Sequence, residues 1–555
     1  MFRAVSLFVC LLLPFVLQAK PKLGAIATAH PIATEAGFEV LAAGGNAFDA
    51  AVAISATLAV VEPSGSGIGG GGFWLLHRAS DNKQIFVDGR EKAPLAATET
   101  MYLDAAGNVI PKASLDGALA AGIPGEPAAL AHIAERYGAL PLSQSLQPAI
   151  RAAAEGFPAD GHMIKRLAFR QKVMSDNPAA DVFLPNGDLP AEGVVIHQAD
   201  LAQTLRLLAK HGRDGFYKGE LAEKLVSGVK AAGGIWTLKD LAEYQVIERE
   251  PVRGHYRGYE IISAPPPSSG GVAMLETLNI LRFYDLDNAD PVTRTHLIIE
   301  AMRRAYRDRA QYLGDSDFVP VPVDRLTSVQ HAAEWVPELS TRRATPSADL
   351  PAVTVEEVAG TDTTHFSVVD AEGNRVSATL SINFPFGSGF MPAGTGVLLN
   401  NEMDDFSKKP GEPNGYGLVH GRANSIAPGK RMLSSMTPTF VEKGDSVAVV
   451  GTPGGSRIIS MVLLGALEYM HDGWGKGTDA SSVVATPRYH HQYLPDVVSY
   501  EKGGLEHSML QGLAVLGHKT KERGRRYGNM HVVLQNAEGM TAASDPRGIG
   551  QADVR

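Results

Sequence analysis

A threonine hydroxyl is a weak nucleophile. The base always within its reach is its own α-amine, once the preceding peptide bond has been cut. Thr363 is placed for that chemistry. It follows the small polar turn Gly360-Thr361-Asp362 and opens the stretch TTHFSVVDAEGNRVSATLSINFPFGSGF. Polar and apolar residues alternate from His365 to Val369 and again from Arg375 to Ile382, with a Gly/Asn-rich turn at Asp370–Asn374 between them. Such a pattern predicts an antiparallel hairpin of half-buried strands with Thr363 exposed at its leading edge. The chemical reading is that the Asp362–Thr363 bond is cut and Thr363 becomes an N-terminal nucleophile. The competing reading is an ordinary strand edge, since threonine favours strands for its shape alone.

Other groups have types suited to a substrate of matching charge. Arg90 follows a predicted strand and a glycine in IFVDGREKAP, a position from which a guanidinium can hold a carboxylate with two hydrogen bonds; a surface ion pair with Glu91 is the alternative. Glu402, Asp404 and Asp405 end the apolar run GVLLNNEMDDF, predicted as a strand. Three carboxylates so close suit either a metal or an ammonium group, although a calcium loop would need a glycine turn and a later glutamate. Gly454-Gly455, between a predicted strand and helix in VAVVGTPGGSRII, offers two successive N–H groups for an oxyanion, or a tight turn. Ser434-Ser435 precedes another strand. The glycines of SGSGIGGGGFWLL, Ser64–Leu76, lack the Lys-Ser/Thr of a phosphate loop and lead into a strand, so a structural turn or a site wall remains.

The 555-residue chain is 44% hydrophobic and 20% charged, with net charge −9. That is a globular composition with material for a large core, and it carries no basic run of the kind that binds nucleic acid. Arg3 followed by the apolar stretch Val5–Leu17 and the small residue Ala19 reads as an export signal over residues 1–19, with an uncleaved anchor as the alternative. Removing it removes Cys10, the one cysteine, so disulfides are excluded from the exported protein. Export to the periplasm or the medium is the expected location.

The elements that must position these groups follow in order. Lys22–His30 predicts a strand, Pro31–Leu41 a helix, and Asn46 caps a second helix that Pro63 stops. Helices dominate from Gly122 to about residue 240. A strand pair spans Gly254–Ile262, and the stiff PPPSSGG turn at Pro265–Gly271 opens a helix. A long Arg/Ala-rich helix spans Thr293–Leu313. Ser328 to Glu357, without periodic pattern, predicts an exposed, mobile segment leading to the scissile bond. Lys408–Gly429, containing Tyr416, is long enough for a lid.

Assembled, a Thr nucleophile, paired N–H groups, an Arg with two Ser, and clustered acids describe a site for an α-amino acid head with the reacting acyl group elsewhere on the molecule. Together with GAIATAHPIATEAGFEVLAAGGNAFDAAVA, PSGSGIGGGGF, DGREKAP, PPPSSGG, TTHFSVVD, LLNNEMDDFS, KRMLSSMTPT, GTPGGSR and ASDPRG in that order, the chain resembles the γ-glutamyltransferases (γ-glutamyltranspeptidases), N-terminal-nucleophile hydrolases. The resemblance covers nearly the whole mature chain. It implies an α+β, four-layer αββα sandwich with two antiparallel sheets between helical layers. It implies self-cleavage into a large subunit, 20–362, and a small one, 363–555, that together form one composite domain. It implies that Thr363 is nucleophile and α-amine base and that Gly454 and Gly455 form the oxyanion hole. Arg90, Ser434 and Ser435 would hold the α-carboxylate, and Asn383, Glu402 and Asp405 the α-amine, under a lid carrying Tyr416. The family's second hydroxyl-bearing threonine is replaced here by Ser381, which keeps the hydroxyl with less orientation. Substrates would be glutathione and other γ-glutamyl compounds, acceptors would be amino acids, peptides or water, and no cofactor or metal would be needed. The alternatives are an acylase for a glutaryl-type side chain, which has no amine to bind, and an uncut, non-catalytic exported binding protein.

Overall fold

Two local signals lay down the first helical layer. Pro31 starts the helix Pro31–Ala42, and Asn46 begins the next, Ala47–Val61, its Oδ1 accepting from the N–H groups of Phe48 and Asp49 while Asp49 returns the bond to Asn46 N. This reciprocal cap satisfies donors that a helix start otherwise leaves open. Every residue of Ala47–Val61 is buried, which its many alanines allow by letting neighbours approach closely. The computed structural model describes residues 23–351, 363–409 and 421–555. The predicted export signal 1–19, Asp362 with its bond to Thr363, and Tyr416 lie outside the described residues.

Among the described residues thirteen strands build the two large sheets. In chain order they are β1 Gly24–Thr28, β2 Gly71–Arg78, β3 Lys83–Gly89, β4 Ile247–Arg249, β5 Val252–Tyr256, β6 Tyr259–Ser263, β7 Thr364–Asp370, β8 Arg375–Ser381, β9 Thr439–Lys443, β10 Ser446–Gly451, β11 His531–Asn536, β12 Gly539–Ser544 and β13 Gln551–Val554. The seven-stranded sheet runs β13-β1-β7-β8-β2-β3-β4 and the six-stranded sheet β12-β11-β10-β9-β6-β5, with every pairing antiparallel. Helices cover the outer face of each: Pro31–Ala42, Ala47–Val61 and Glu126–Tyr137 on the first, and Gly270–Leu281, Pro291–Tyr312 and Ile458–Met470 on the second. This is the expected αββα sandwich. Among the described residues no helix is long and apolar enough to cross a membrane.

The predicted hairpin is β7–β8, with Arg375 opposite Val369 and Leu380 opposite Thr364, but it is not half-exposed. It lies at the centre of its sheet, and Thr363 is buried. Phe366, Val368, Val376, Ala378 and Leu380 face the first helical layer. The alternating polar residues face the second sheet rather than water. Ser367 Oγ donates to His531 O (3.0 Å), and Ser377 Oγ donates to Val450 O (3.1 Å) and accepts from Thr439 N (3.1 Å). Period-two polarity marks a second face; it does not say whether that face meets solvent or partners.

Two other expectations are corrected. Ser328–Pro351 is not an exposed tether. Val329–Trp335 is a helix capped by Ser328, and His331, Trp335, Leu339 and Leu350 are buried against the second core. Few but large apolar residues anchor it without any period. Val397–Leu399 forms no regular strand; only Leu399 bridges Gly69. Asn400 takes over the neighbouring backbone groups: its Oδ1 accepts from Gly122 N and Glu402 N, and its Nδ2 donates to Gly69 O and Gly122 O. Such side-chain bonds compete with a strand ladder.

Between the sheets His365 and His531 stack with centroids 6.4 Å apart. Burial pushes His531 down to about 3, so it is neutral when folded and titrates near 6.5 when unfolded. Its contribution to stability is therefore complete above pH 6.5 and is lost as pH falls from there. Compared with His531→Leu, the wild-type protein loses about 1.4 kcal/mol more per pH unit between 6.5 and 5, measured as the difference in denaturant-unfolding free energy. A pH-independent difference would show that the imidazole takes up its proton in the fold as readily as in the unfolded chain.

Candidate active site

Thr363 immediately precedes β7, and Ser381 ends β8, so the sheet register brings the two ends of the hairpin together. Thr363 Oγ1 and Ser381 Oγ lie 3.5 Å apart. Asn383, at φ +73°, turns its N–H onto Ser381 Oγ (2.7 Å) and fixes that hydroxyl from behind. Thr364 Oγ1 donates to Glu62 at the end of the Ala47–Val61 helix.

The oxyanion candidates follow β10. Gly454 has φ +146° and Gly455 φ +57°. A Cβ on Gly454 would stand 2.4 Å from Met461 Cε, a methyl that can swing aside, so it is the backbone conformation that demands glycine there. The chain then enters a 3₁₀ turn, Gly455–Arg457, and the helix Ile458–Met470, which leaves the N–H groups of the turn at a helix start.

Arg90 follows β3. Its N–H donates to Asp88 Oδ1 (3.0 Å) and its carbonyl accepts from Tyr244 OH (2.8 Å). Its guanidinium is buried and meets Asp405 Oδ2 at 2.6 Å, Glu402 Oε2 at 3.1 Å and Glu91 Oε2 at 3.5 Å, and donates to Met432 O. Burial outweighs the pull of Arg90 on the acids. Glu91 and Glu402 are pushed up to about 7, and Asp405, with Glu402 beside it, to about 8. Arg90 is held above its usual range by the three carboxylates despite burial. The groups expected to take the two charged ends of an amino acid are here paired with each other, as opposite charges in a low-dielectric site must be.

Asp404 leaves this cluster. It pairs with Lys408 Nζ (2.8 Å) and accepts from Ser114 Oγ (2.7 Å). The 3₁₀ turn Glu402–Asp405 splits the three carboxylates, so they do not converge as a metal site would require.

Ser434 and Ser435 are backed by the PPPSSGG turn. Ser434 N donates to Pro267 O, its carbonyl accepts from Ser269 N and Oγ, and its Oγ accepts from Met436 N. Behind both serines stands a residue that sequence reasoning missed. Arg309, on the helix Pro291–Tyr312, donates from Nε to Ser269 Oγ (2.9 Å) and from Nη2 to Ser435 Oγ (3.1 Å). It is buried, and among the described residues no carboxylate pairs with it and its Nη1 has no partner. Burial lowers it to about 10, so it remains a cation at neutral pH. The one signal was four arginines within seven residues of an alanine-rich helix, Arg303, Arg304, Arg307 and Arg309; which of them turns toward Ser435 is set by packing. Glu91 was likewise read only as a surface partner.

A cavity of 20 Å³ joins Thr363, Ser381, Asn383, Arg90, Glu402, Asp405, Ser434, Ser435 and Gly455, while Gly454 lines an adjoining one of 240 Å³ together with Thr363. Apart from Asp362 and Tyr416, the structure thus gathers every predicted site residue around one threonine.

A nucleophile candidate leading a central strand of an αββα sandwich, beside a glycine turn at a helix start, defines the N-terminal-nucleophile hydrolase class of enzyme. The profile described as gamma-glutamyltranspeptidase matches residues 33–554. The chain is 46% identical over 502 residues to the glutathione hydrolase proenzyme of Pseudomonas sp. (strain A14), covering 89% of this chain and 86% of the relative. It is 39% identical over 542 residues to that of Escherichia coli (strain K12), covering 96% and 91%. Its fold superposes on the crystal structure of a cephalosporin acylase from Bacillus halodurans with TM-score 0.83 and 29% identity, covering 98% of this chain and 99% of that one. The chain belongs to the γ-glutamyltranspeptidase family.

Proposed function

We propose that this protein is a self-activating γ-glutamyltransferase and glutathione hydrolase. The observation that carries the reading is the pairing of a guanidinium with two carboxylates, Arg90 with Glu402 and Asp405, in the cavity that Thr363 lines. A substrate bearing both an α-carboxylate and an α-ammonium can exchange these internal ion pairs for its own, while a glutaryl group satisfies only the arginine.

In the precursor, Thr363 Oγ attacks the Asp362 carbonyl. The acyl group shifts from nitrogen to oxygen, and water hydrolyses the ester to give an Asp362 carboxylate and a free Thr363 amine. In turnover, that amine takes the hydroxyl proton as Oγ attacks the γ-carbonyl of glutathione or a related amide. The Gly454 and Gly455 N–H groups hold the oxyanion, the proton passes to the departing amine, and a γ-glutamyl ester remains on Thr363. Water or the amine of an amino acid or peptide then takes the glutamyl group. Every step uses the chain's own groups. Fragments 20–362 and 363–555 stay together because β7 lies between β1 and β8 and because Arg90 and Glu402 come from opposite sides of the cut. An export signal over 1–19 would deliver the enzyme to the periplasm or medium.

The test is release of p-nitroaniline from the γ-glutamyl anilide against the glutaryl anilide, with glutamate and cysteinylglycine followed when glutathione is supplied. Preference for the glutaryl compound would favour the acylase reading, which has the overall likeness to the Bacillus halodurans enzyme behind it; an uncut protein inert on both would favour a binding protein. Arg309 gives a further expectation. Its charge stands behind Ser435, where the substrate carboxylate would lie, so Arg309→Gln raises KM for the γ-glutamyl anilide roughly thirtyfold with little change in kcat, about 2 kcal/mol of carboxylate attraction. Arg309→Lys recovers part of it. Equal KM values in steady-state kinetics would reduce Arg309 to a packing role.

A further inference from the structure

Three buried side chains from three helices converge in the layer that covers the second sheet. They are Glu276 of Gly270–Leu281, Asp308 of Pro291–Tyr312 and His331 of Val329–Trp335. One ligand atom from each lies within 4.8 Å of the other two. His331 Nε2 is 2.6 Å from Asp308 Oδ2 and 3.6 Å from Glu276 Oε1. That Glu276 oxygen is buried and has no hydrogen-bond partner. The other imidazole nitrogen is already engaged: His331 Nδ1 meets Glu334 Oε2 at 3.2 Å. A carboxylate on one nitrogen fixes the ring and makes the other nitrogen a better metal ligand. Arg307 takes the far oxygen of Asp308, Oδ1, at 2.6 Å, which leaves Oδ2 to His331.

With the imidazole neutral, Glu276, Asp308 and Glu334 bring three negative charges. Among the described residues the guanidinium in hydrogen-bond contact with them is that of Arg307, while Arg325 stands 4.0 Å from Glu334 near the surface. A proton on His331, which the two acids hold there above the usual imidazole range, returns one charge; a divalent ion returns both. A tetrahedral ion with bonds of about 2.0–2.1 Å wants its ligand atoms about 3.3 Å apart, between the two separations seen here. We infer that Glu276, Asp308 and His331 form a zinc site, with a water as fourth ligand. Imidazole and carboxylate together suit zinc, whereas calcium and magnesium take oxygen alone. The buried trio His296, Glu300 and His518 is a poorer candidate, because Arg303 and Arg304 both hold Glu300. The zinc takes no part in the chemistry at Thr363, since none of its three ligands lines either cavity there. Asp308 adjoins Arg309, so the ion braces the helix that sets Arg309 behind Ser435.

The experiment is equilibrium dialysis of the full chain, stripped with a chelator, against zinc chloride alone, with bound metal counted by elemental mass spectrometry. The wild-type protein holds one zinc per chain, with Kd on the order of 1 μM. Glu276→Gln and His331→Gln each weaken binding about a hundredfold or more, and Glu334→Gln, which removes only the support of the ring, about tenfold. His518→Gln binds as the wild type does. Zinc also raises the denaturation midpoint of the wild type and of His518→Gln, but not of Glu276→Gln or His331→Gln. Glu334 is exposed, so its variant folds and keeps the test decisive if a buried one does not. A wild-type chain that holds no zinc at about 100 μM free ion would overturn the inference. So would wild-type affinity in Glu276→Gln or Glu334→Gln, which would place the metal elsewhere.

Discussion

Thr363→Ala gives a single uncut chain under denaturing conditions, whereas the unaltered protein gives two fragments, one beginning Thr363-Thr364-His365-Phe366. The variant's γ-glutamyl release falls by about 10⁴-fold or more, because one substitution removes both the nucleophile and the event that frees its base. Intact mass measurement and N-terminal sequencing separate the two losses. Thr363→Ser keeps a hydroxyl beside Ser381 and is cut more slowly. Loss of the β-methyl frees χ1, and the neighbouring hydroxyl 3.5 Å away then has a less fixed partner. Normal cutting of Thr363→Ala would show that the nucleophile lies elsewhere.

Arg90→Met carries the other large effect. Its guanidinium is the cation shared by the buried acids Glu91, Glu402 and Asp405. Without it their carboxyls, already partly protonated at neutral pH, lose the attraction that opposes desolvation and become protonated almost completely. The fold loses about 3–5 kcal/mol, read as a lower denaturation midpoint. The donor's kcat/KM falls about 10³-fold, because the carboxylate loses its partner and the protonated acids no longer attract an ammonium. Arg90→Lys restores the charge without the two-pronged geometry and recovers only part of the affinity. Its denaturation midpoint recovers more fully than its KM, since neutralising the acids needs charge and holding a carboxylate needs shape. An Arg90→Met enzyme with an unchanged KM for the γ-glutamyl anilide would remove this residue from substrate binding.

Histidine burial, Arg309, Thr363 and Arg90 test different levels of one argument, and they were not equally legible beforehand. Features set by neighbours in the chain could be read directly. The Asn46 cap, the alternation on either side of the Asp370–Asn374 turn, and the glycines before Ser456 depend on backbone geometry within a few residues. So did the candidacy of Thr363, since a nucleophile with its own base needs only a strand edge and a cut. The order of motifs carried the family, and with it the layer architecture.

What the chain order could not carry was the partner of each buried charge. Arg90 is 312 positions from Glu402 and 315 from Asp405, and nothing local distinguishes a guanidinium awaiting a substrate from one already paired. Asp404 and Asp405 are neighbours in sequence yet serve Lys408 and Arg90 respectively. Arg309 meets Ser435 across 126 positions. The polar face of β7 looked solvent-bound until the second sheet was laid over it. Sequence by itself determined most of the local elements, the candidate nucleophile and the inventory of charges. Only the tertiary structure decided which charges meet, because an unpaired buried polar group is costly and long-range packing alone supplies its partner.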